Sequence, residues 1–293
     1  MIVIFEKLNF MKRGLFFLML LGVFMQCGGD DDMAMPQNTL IEGEPVITVH
    51  PSANPDIPFT LVWEENFDGD SLNMEDWNFE LGDGCDYGIC GWGNQELQRY
   101  TDSNHTISDG LLTIQVEKGN FYTSTRITTK GKKEFQYGKI EARIKLPQGD
   151  GLWPAFWMLG NDIDTNSWPA CGEIDVMEYV GRMPGIVHHS LHTTSSSGAT
   201  INTQKVIVPN LEGDFHTYAI EWSIKAIDFF VDGEKQYTYA PGTNNPDYWP
   251  FDKPFFLILN AAVGGNFGGP VSSDDIFPQQ YQIDYIKVYQ RAE

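Results

Sequence analysis

From Phe59 to the C-terminus, apolar and polar residues alternate with a period of two, and no stretch sustains the period of a long helix. Leu112-Thr-Ile-Gln-Val116 puts Leu112, Ile114 and Val116 on one face of a strand. Lys139–Leu146 alternates cleanly through Ile140, Ala142, Ile144 and Leu146. Tyr218–Val231 reads as strand and runs into Asp232-Gly233, a strong hairpin signal. Phe255–Val263 is a continuous apolar run suited to a buried strand, and Tyr281–Tyr289 closes the chain with another alternating one. Glycines (29) and prolines (16) supply the turns between them. Many strands, few helices and no repeat period predict an all-β fold. It would be one large sandwich of two antiparallel sheets over residues 59–293, with a concave sheet face left open to a long ligand.

The first part of the chain has a different pattern. Lys12 and Arg13 precede an apolar run from Leu15 to Met25, too short to cross a bilayer comfortably, so residues 1–26 read as a secretory signal peptide. Met11 is the candidate start of that leader. Cys27 stands where it ends, followed by Gly28, Gly29 and Asp30–Asp32; this resembles a bacterial lipoprotein box with a surface-export tract. A plain cleaved signal peptide is the alternative. Residues 27–58 are polar, Pro-rich and aperiodic, and read as a lipidated flexible stalk. The expected location is therefore the outer membrane, with the domain at the cell surface, or else the periplasm or medium.

An oxidising compartment allows Cys85 and Cys90 to close a small disulfide loop, leaving Cys171 as a buried thiol; pairing of Cys171 with either stays open. A net charge of −21, from 40 acidic and 19 basic residues, argues against nucleic acid and anionic lipid as partners. Sulfated polyanions are disfavoured for the same reason unless a local basic groove overrides the sum. A neutral or cationic partner is the better fit.

The candidate chemistry lies in Trp168-Pro-Ala-Cys-Gly-Glu-Ile-Asp-Val-Met-Glu178. In a strand Glu173 and Asp175 share a face, while Glu178 falls on the other by simple alternation. One extra residue, taken up as a β-bulge at Val176–Met177, returns Glu178 to the same side. Two glutamates leaning together there could bring their carboxyls to about 5–5.5 Å, the separation found in retaining glycosidases. Three carboxylates on one face repel, so at least one pKa must rise, which yields an ionised nucleophile and a protonated acid. Trp153 and Trp157, four apart around Pro154, would cross the same face and offer aromatic surface to pyranose rings.

Here the sequence resembles glycoside hydrolase family 16 of the laminarinase type. The likeness rests on Glu173–Glu178 together with Gly93–Tyr100, Phe135–Arg143, Gly151–Trp157, Asn260–Gly265 and Ile283–Tyr289, in that order along the chain. The resemblance implies a β-jelly-roll (concanavalin A-like) sandwich and retaining endo-hydrolysis of β-1,3-glucan. It further implies Glu173 as nucleophile, Glu178 as acid/base and Asp175 as their assistant. Asn94, Arg126, Trp153, Trp157, Trp168, His192 and Asn260 match substrate-binding positions, whereas His188 and His189 read as surface or core histidines. Glu65, Gly110 and Asp284 match a structural calcium site that uses main-chain carbonyls as well; no cofactor is implied for the chemistry. The expected partner is a neutral β-glucan, met by a monomer held to the membrane through its lipid. An agarase or mixed-linkage glucanase of the same fold is the near alternative, and a non-hydrolytic glycan-binding sandwich the distant one.

Overall fold

The computed structural model describes residues 57–291; the leader, Cys27 and the stalk as far as residue 56 lie outside them. The strands in chain order are β1 (Phe59–Glu65), β2 (Asn78–Phe79), β3 (Gln98–Tyr100), β4 (His105–Ser108), β5 (Leu111–Lys118) and β6 (Tyr122–Ser124). Next come β7 (Arg126–Thr128), β8 (Glu134–Phe135), β9 (Gly138–Lys145), β10 (Leu152–Gly160), β11 (Glu173–Tyr179) and β12 (Ile186–His192). The last six are β13 (Thr203–Ile207), β14 (His216–Trp222), β15 (Ile227–Val231), β16 (Glu234–Tyr239), β17 (Phe255–Val263) and β18 (Gln279–Arg291). A single helical turn, α1 (Gly265–Gly268), follows β17.

The strands form two sheets. One runs β13-β12-β11-β10-β17-β7-β2 with β8 beside β17; the other runs β16-β15-β14-β9-β18-β5-β6-β3 with β1 on β18 and β4 on β5. The pairing is antiparallel except where β3 lies parallel to β6. The expected all-β sandwich is therefore present, with one parallel contact that the pattern did not foretell.

The core sits where period-two faces meet. Leu112, Ile114 and Val116 from β5 and Ile140, Ala142 and Ile144 from β9 are completely buried, as their alternation predicts. They face Phe156, Met158, Ile174, Val176 and Leu191 of the opposite sheet within one hydrophobic cluster. Each such side chain stabilises the fold by about 1.5–3 kcal/mol relative to exposure. All nine residues of β17 are buried, because the sandwich covers one face and the loops and α1 the other. Tyr218–Val231 is not one strand: Ser223 Oγ accepts hydrogen bonds from the Lys225 and Ala226 amides, and that turn splits the stretch into the β14–β15 hairpin. Asp232-Gly233 then makes the expected turn into β16. Cys85 and Cys90 are bonded to each other, and Cys171 is buried and free.

Gly160 ties this frame to the strand that bears the carboxylates. Its amide donates to Gly172 O, and a Cβ on it would lie 2.1 Å from Cys171 O. Gly160→Ala would push β10 away from the residues leading into β11. Overpacking of this kind costs about 1–3 kcal/mol, so the melting temperature should fall by several degrees in differential scanning calorimetry. An unchanged melting temperature would show that the close approach is not structurally needed.

Candidate active site

The register of β11 departs from period two at one place. Trp157 of β10 pairs with Asp175 and the preceding Phe156 with Met177, so Val176 is an extra residue. On the other side Asp175 pairs with Ser190 and Glu178 with His188. This is the expected bulge, and it puts Glu173, Asp175 and Glu178 on the outer face while Ile174, Val176 and Met177 all join the core.

Each carboxylate meets its own set of donors. Trp168 Nε1 donates to Glu173 Oε2 at 2.9 Å, and His192 Nε2 lies 3.5 Å from Glu173 Oε1 and 3.1 Å from Asp175 Oδ2. Trp153 Nε1 donates to Glu178 Oε1 at 3.0 Å and Ser190 Oγ to Glu178 Oε2 at 3.2 Å. Burial is the main cause that pushes the Glu178 pKa up to about 7, with the charge of Glu173 adding to it. Burial also raises Glu173, against the pull of His192 and the Trp168 hydrogen bond. Asp175 is driven well above its usual range by burial and by both glutamates. Burial opposes protonation of His192, but the Asp175 contact and the three surrounding carboxylates outweigh it and raise its pKa to about 10. One proton held between Asp175 and His192 leaves that pair neutral overall. His192 and the Trp168 indole favour the ionised form of Glu173 against its burial, while Glu178, raised to about 7, holds a proton into the neutral range; acid-assisted nucleophilic displacement needs one carboxyl in each form.

Cross-strand neighbours build the rest of the face. A single row runs Arg126, Asn260, Ala155, Glu178, His188, Lys205 across β7, β17, β10, β11, β12 and β13. Asn260 Oδ1 accepts from Trp157 Nε1 at 2.7 Å, and its Nδ2 donates to Tyr100 Oη at 2.9 Å. Tyr100 Oη in turn reaches Glu96 Oε2, which also accepts from Gln98 Nε2, while Glu96 Oε1 accepts from Asn94 Nδ2. Arg126 is paired with Glu80 and its guanidinium lies over the rings of Trp92 and Trp157, at 4.5 and 4.9 Å. At 8% exposure it is placed to fix those indoles more than to reach outward.

The sequence-derived set is thus largely assembled. Glu173, Asp175, Glu178, Trp153, Trp157, Trp168, His192, Asn260, Asn94 and Arg126 belong to one connected face, with the Trp168 ring 44% exposed and free to stack. Glu96, Tyr100, Glu80, Ser190 and Phe267 were missed. Glu96 and Tyr100 lie inside the Gly93–Tyr100 block, but their partner Asn260 is too distant in sequence for spacing to reveal it. His189 is a core histidine, its Nδ1 against Val176 O. His188 needs correction: its register opposite Glu178 puts it on the outer face, neither in the core nor at the open surface. The calcium candidates are not joined through their side chains. Both oxygens of Glu65 accept hydrogen bonds, from the Phe67 amide and Trp77 Nε1, and Asp284 is paired with Arg143. Each Glu65 oxygen thus already accepts one hydrogen bond, and these positions also offer main-chain oxygens and the second carboxylate oxygen of Asp284. Burial pushes the Cys171 thiol up to about 12, which removes it as a nucleophile.

The model of the glycosyl hydrolases family 16 matches residues 93–287. A β-glucanase of Rhodothermus marinus is 41% identical over 252 residues, covering 80% of this chain and 86% of its own. The crystal structure of a laminarinase from Flavobacterium sp. UMI-01 has 58% identity and a TM-score of 0.77, over 79% of this chain and all of that one. An endo-β-1,3-glucanase structure from Pyrococcus furiosus has 41% identity and a TM-score of 0.76, over 80% of this chain and 95% of that one.

The indole N–H of Trp153 reports on Glu178 directly. Its NMR resonance should titrate with a midpoint near pH 7 and lose that titration in Glu178→Gln. A resonance that stays flat between pH 5 and 9 in the unsubstituted protein would contradict the raised pKa.

Proposed function

The chain belongs to glycosyl hydrolases family 16, and from that membership we propose that it hydrolyses internal β-1,3-glucosidic bonds of laminarin-type β-glucans with retention. The observation that carries the mechanism is the bulged strand, which sets Glu173 and Glu178 on one face with different hydrogen-bond partners. Glu178, protonated below about pH 7, gives its proton to the glycosidic oxygen as the bond to the leaving sugar breaks. Glu173 attacks the anomeric carbon and forms a glycosyl ester. Trp168 Nε1 and His192 hold the attacking carboxylate in place, and Asp175 anchors His192. Glu178, now ionised, takes a proton from water, whose oxygen displaces Glu173 and restores the starting state. Ser190 and Trp153 stabilise Glu178 in its ionised form, so it is not locked as an acid.

Trp153, Trp157 and Trp168 supply apolar surface for the sugar rings, and Asn94 and Asn260 supply short polar groups for their hydroxyls. The leader-like run and Cys27 support export and lipid attachment, with the domain displayed at the outer membrane. A structural calcium held by main-chain oxygens near Gly110 and Asp284 belongs to the same reading and takes no part in the chemistry.

Release of reducing ends from laminarin, lichenan and agarose tests the substrate, with laminarin expected to be cleaved fastest. Glu173→Ala and Glu178→Ala should fold and lose activity, Glu178→Ala by roughly 10²–10⁴-fold. Azide should revive Glu173→Ala and give the inverted glycosyl azide; wild-type rates in either variant would sink the assignment. Because the active form of Glu178 is the protonated one, kcat/KM should fall above about pH 7. Ser190→Ala removes a hydrogen bond that favours the ionised form, so that alkaline limb should move to higher pH.

A further inference from the structure

The row through Glu178 is asymmetric in charge. On the β17–β7 side it ends in Asn260 and in Arg126, a cation already neutralised by Glu80. On the β12–β13 side it ends in His188 and Lys205, and neither Lys205 nor the nearby Arg182 is ion-paired among the described residues. By contrast Arg99, Lys118, Lys130, Lys133, Arg143 and Lys253 each have a carboxylate partner. Lys132, Lys145 and Lys225 also have no carboxylate partner among the described residues, but they lie elsewhere, whereas Lys205 continues the row through Glu178 and Arg182 directly follows β11.

Their surroundings point outward to a ligand. Arg182 lies just past β11, its side chain within 3.1 Å of where a Cβ on Gly269 would be, in the segment that follows α1. Phe267 of α1 meets the Trp153 ring edge-on at 5.5 Å and the His188 ring edge-on at 4.9 Å. Trp153 is the donor to Glu178, so this aromatic corner borders the group that protonates the departing sugar, and Lys205 stands in register beyond His188. His188 is 3% exposed and its Nε2 has no hydrogen-bond partner, a buried polar atom left open on the same face. Burial first, then the charges of Lys205 and Arg182, lower its pKa to about 4 and keep the ring neutral.

We propose that the β12–β13 side of the site accepts β-1,3-glucan bearing anionic substituents, sulfate or carboxylate, with the exposed Arg182 and Lys205 as counter-charges. This rests on the β-glucan hydrolase reading above and names a substrate class for it. The overall charge of −21 does not forbid it. Charges more than about 8 Å away are largely screened at physiological ionic strength, so the net charge of the whole chain does not decide what a substituent beside Arg182 and Lys205 experiences.

The test compares kcat/KM on carboxymethylated laminarin and on sulfated laminarin with kcat/KM on unmodified laminarin, for the full chain and for Arg182→Gln/Lys205→Gln. Two solvent-facing ion contacts are worth roughly a tenfold preference at most. The charged-to-neutral ratio should fall by about three- to tenfold in the double variant. The same fall should follow from raising the salt to 0.5 M, and Lys205→Arg with Arg182→Lys should keep the ratio. A fall on one charged substrate alone identifies the substituent; an unchanged ratio on both overturns the proposal. Should the double variant fail to fold, the single variants and the salt series still decide the matter. Failure of the unsubstituted protein on unmodified laminarin would instead overturn the glucanase reading itself.

Discussion

One residue too many in β11 is the constraint on which the site depends. Val176 breaks the two-residue period, and without it Glu178 would point into the core with Ile174 and Leu191. With it, three carboxylates share a buried face, an arrangement that is costly in a medium of low effective dielectric. The surrounding groups answer that cost: Trp168 and His192 for Glu173, His192 for Asp175, Trp153 and Ser190 for Glu178. The compensation is unequal, and the inequality is what function uses. Glu178, with its pKa raised to about 7, can give and take a proton near neutrality, while His192 and Trp168 favour the ionised form of Glu173 against its burial.

A second network positions the sugar-facing side chains. Asn94, Glu96, Gln98, Tyr100, Asn260 and Trp157 form one hydrogen-bonded chain from the loop before β3 to β10. Each buried bond contributes on the order of 1 kcal/mol, and leaving one partner unmatched costs more than the bond is worth. The indole of Trp157 is therefore fixed on one side by Asn260 and on the other by the Arg126 guanidinium. Rigid indoles suit a ligand whose rings must align with a bond-breaking pair, since misplacement directly lowers the rate.

Much of this was legible in the residues themselves. The spacing Glu173-x-Asp175-x-x-Glu178 required a bulge if the acids were to meet, and β11 has it at Val176. The alternation of Lys139–Leu146 gave β9 its buried face. What stayed hidden depended on long-range register. Glu96 meets Asn260 only through Tyr100, and although His188 shares the outer face with Ser190 and His192 by alternation, its place opposite Glu178 depends on the bulge in β11. The Ser223 turn was missed because Ile224 and Ala226 continue the apolar pattern while the hydroxyl takes over the backbone bonds.

The central claim is that Glu173 forms a covalent bond to the sugar while Glu178 only moves protons. A 2-deoxy-2-fluoro laminaribiosyl fluoride slows ester hydrolysis more than ester formation and should trap that state. Intact mass spectrometry should then show one added fluoroglycosyl unit, and peptide mapping should place it on Glu173. An adduct on Asp175 or Glu178, or turnover with inversion and no adduct, would contradict the account.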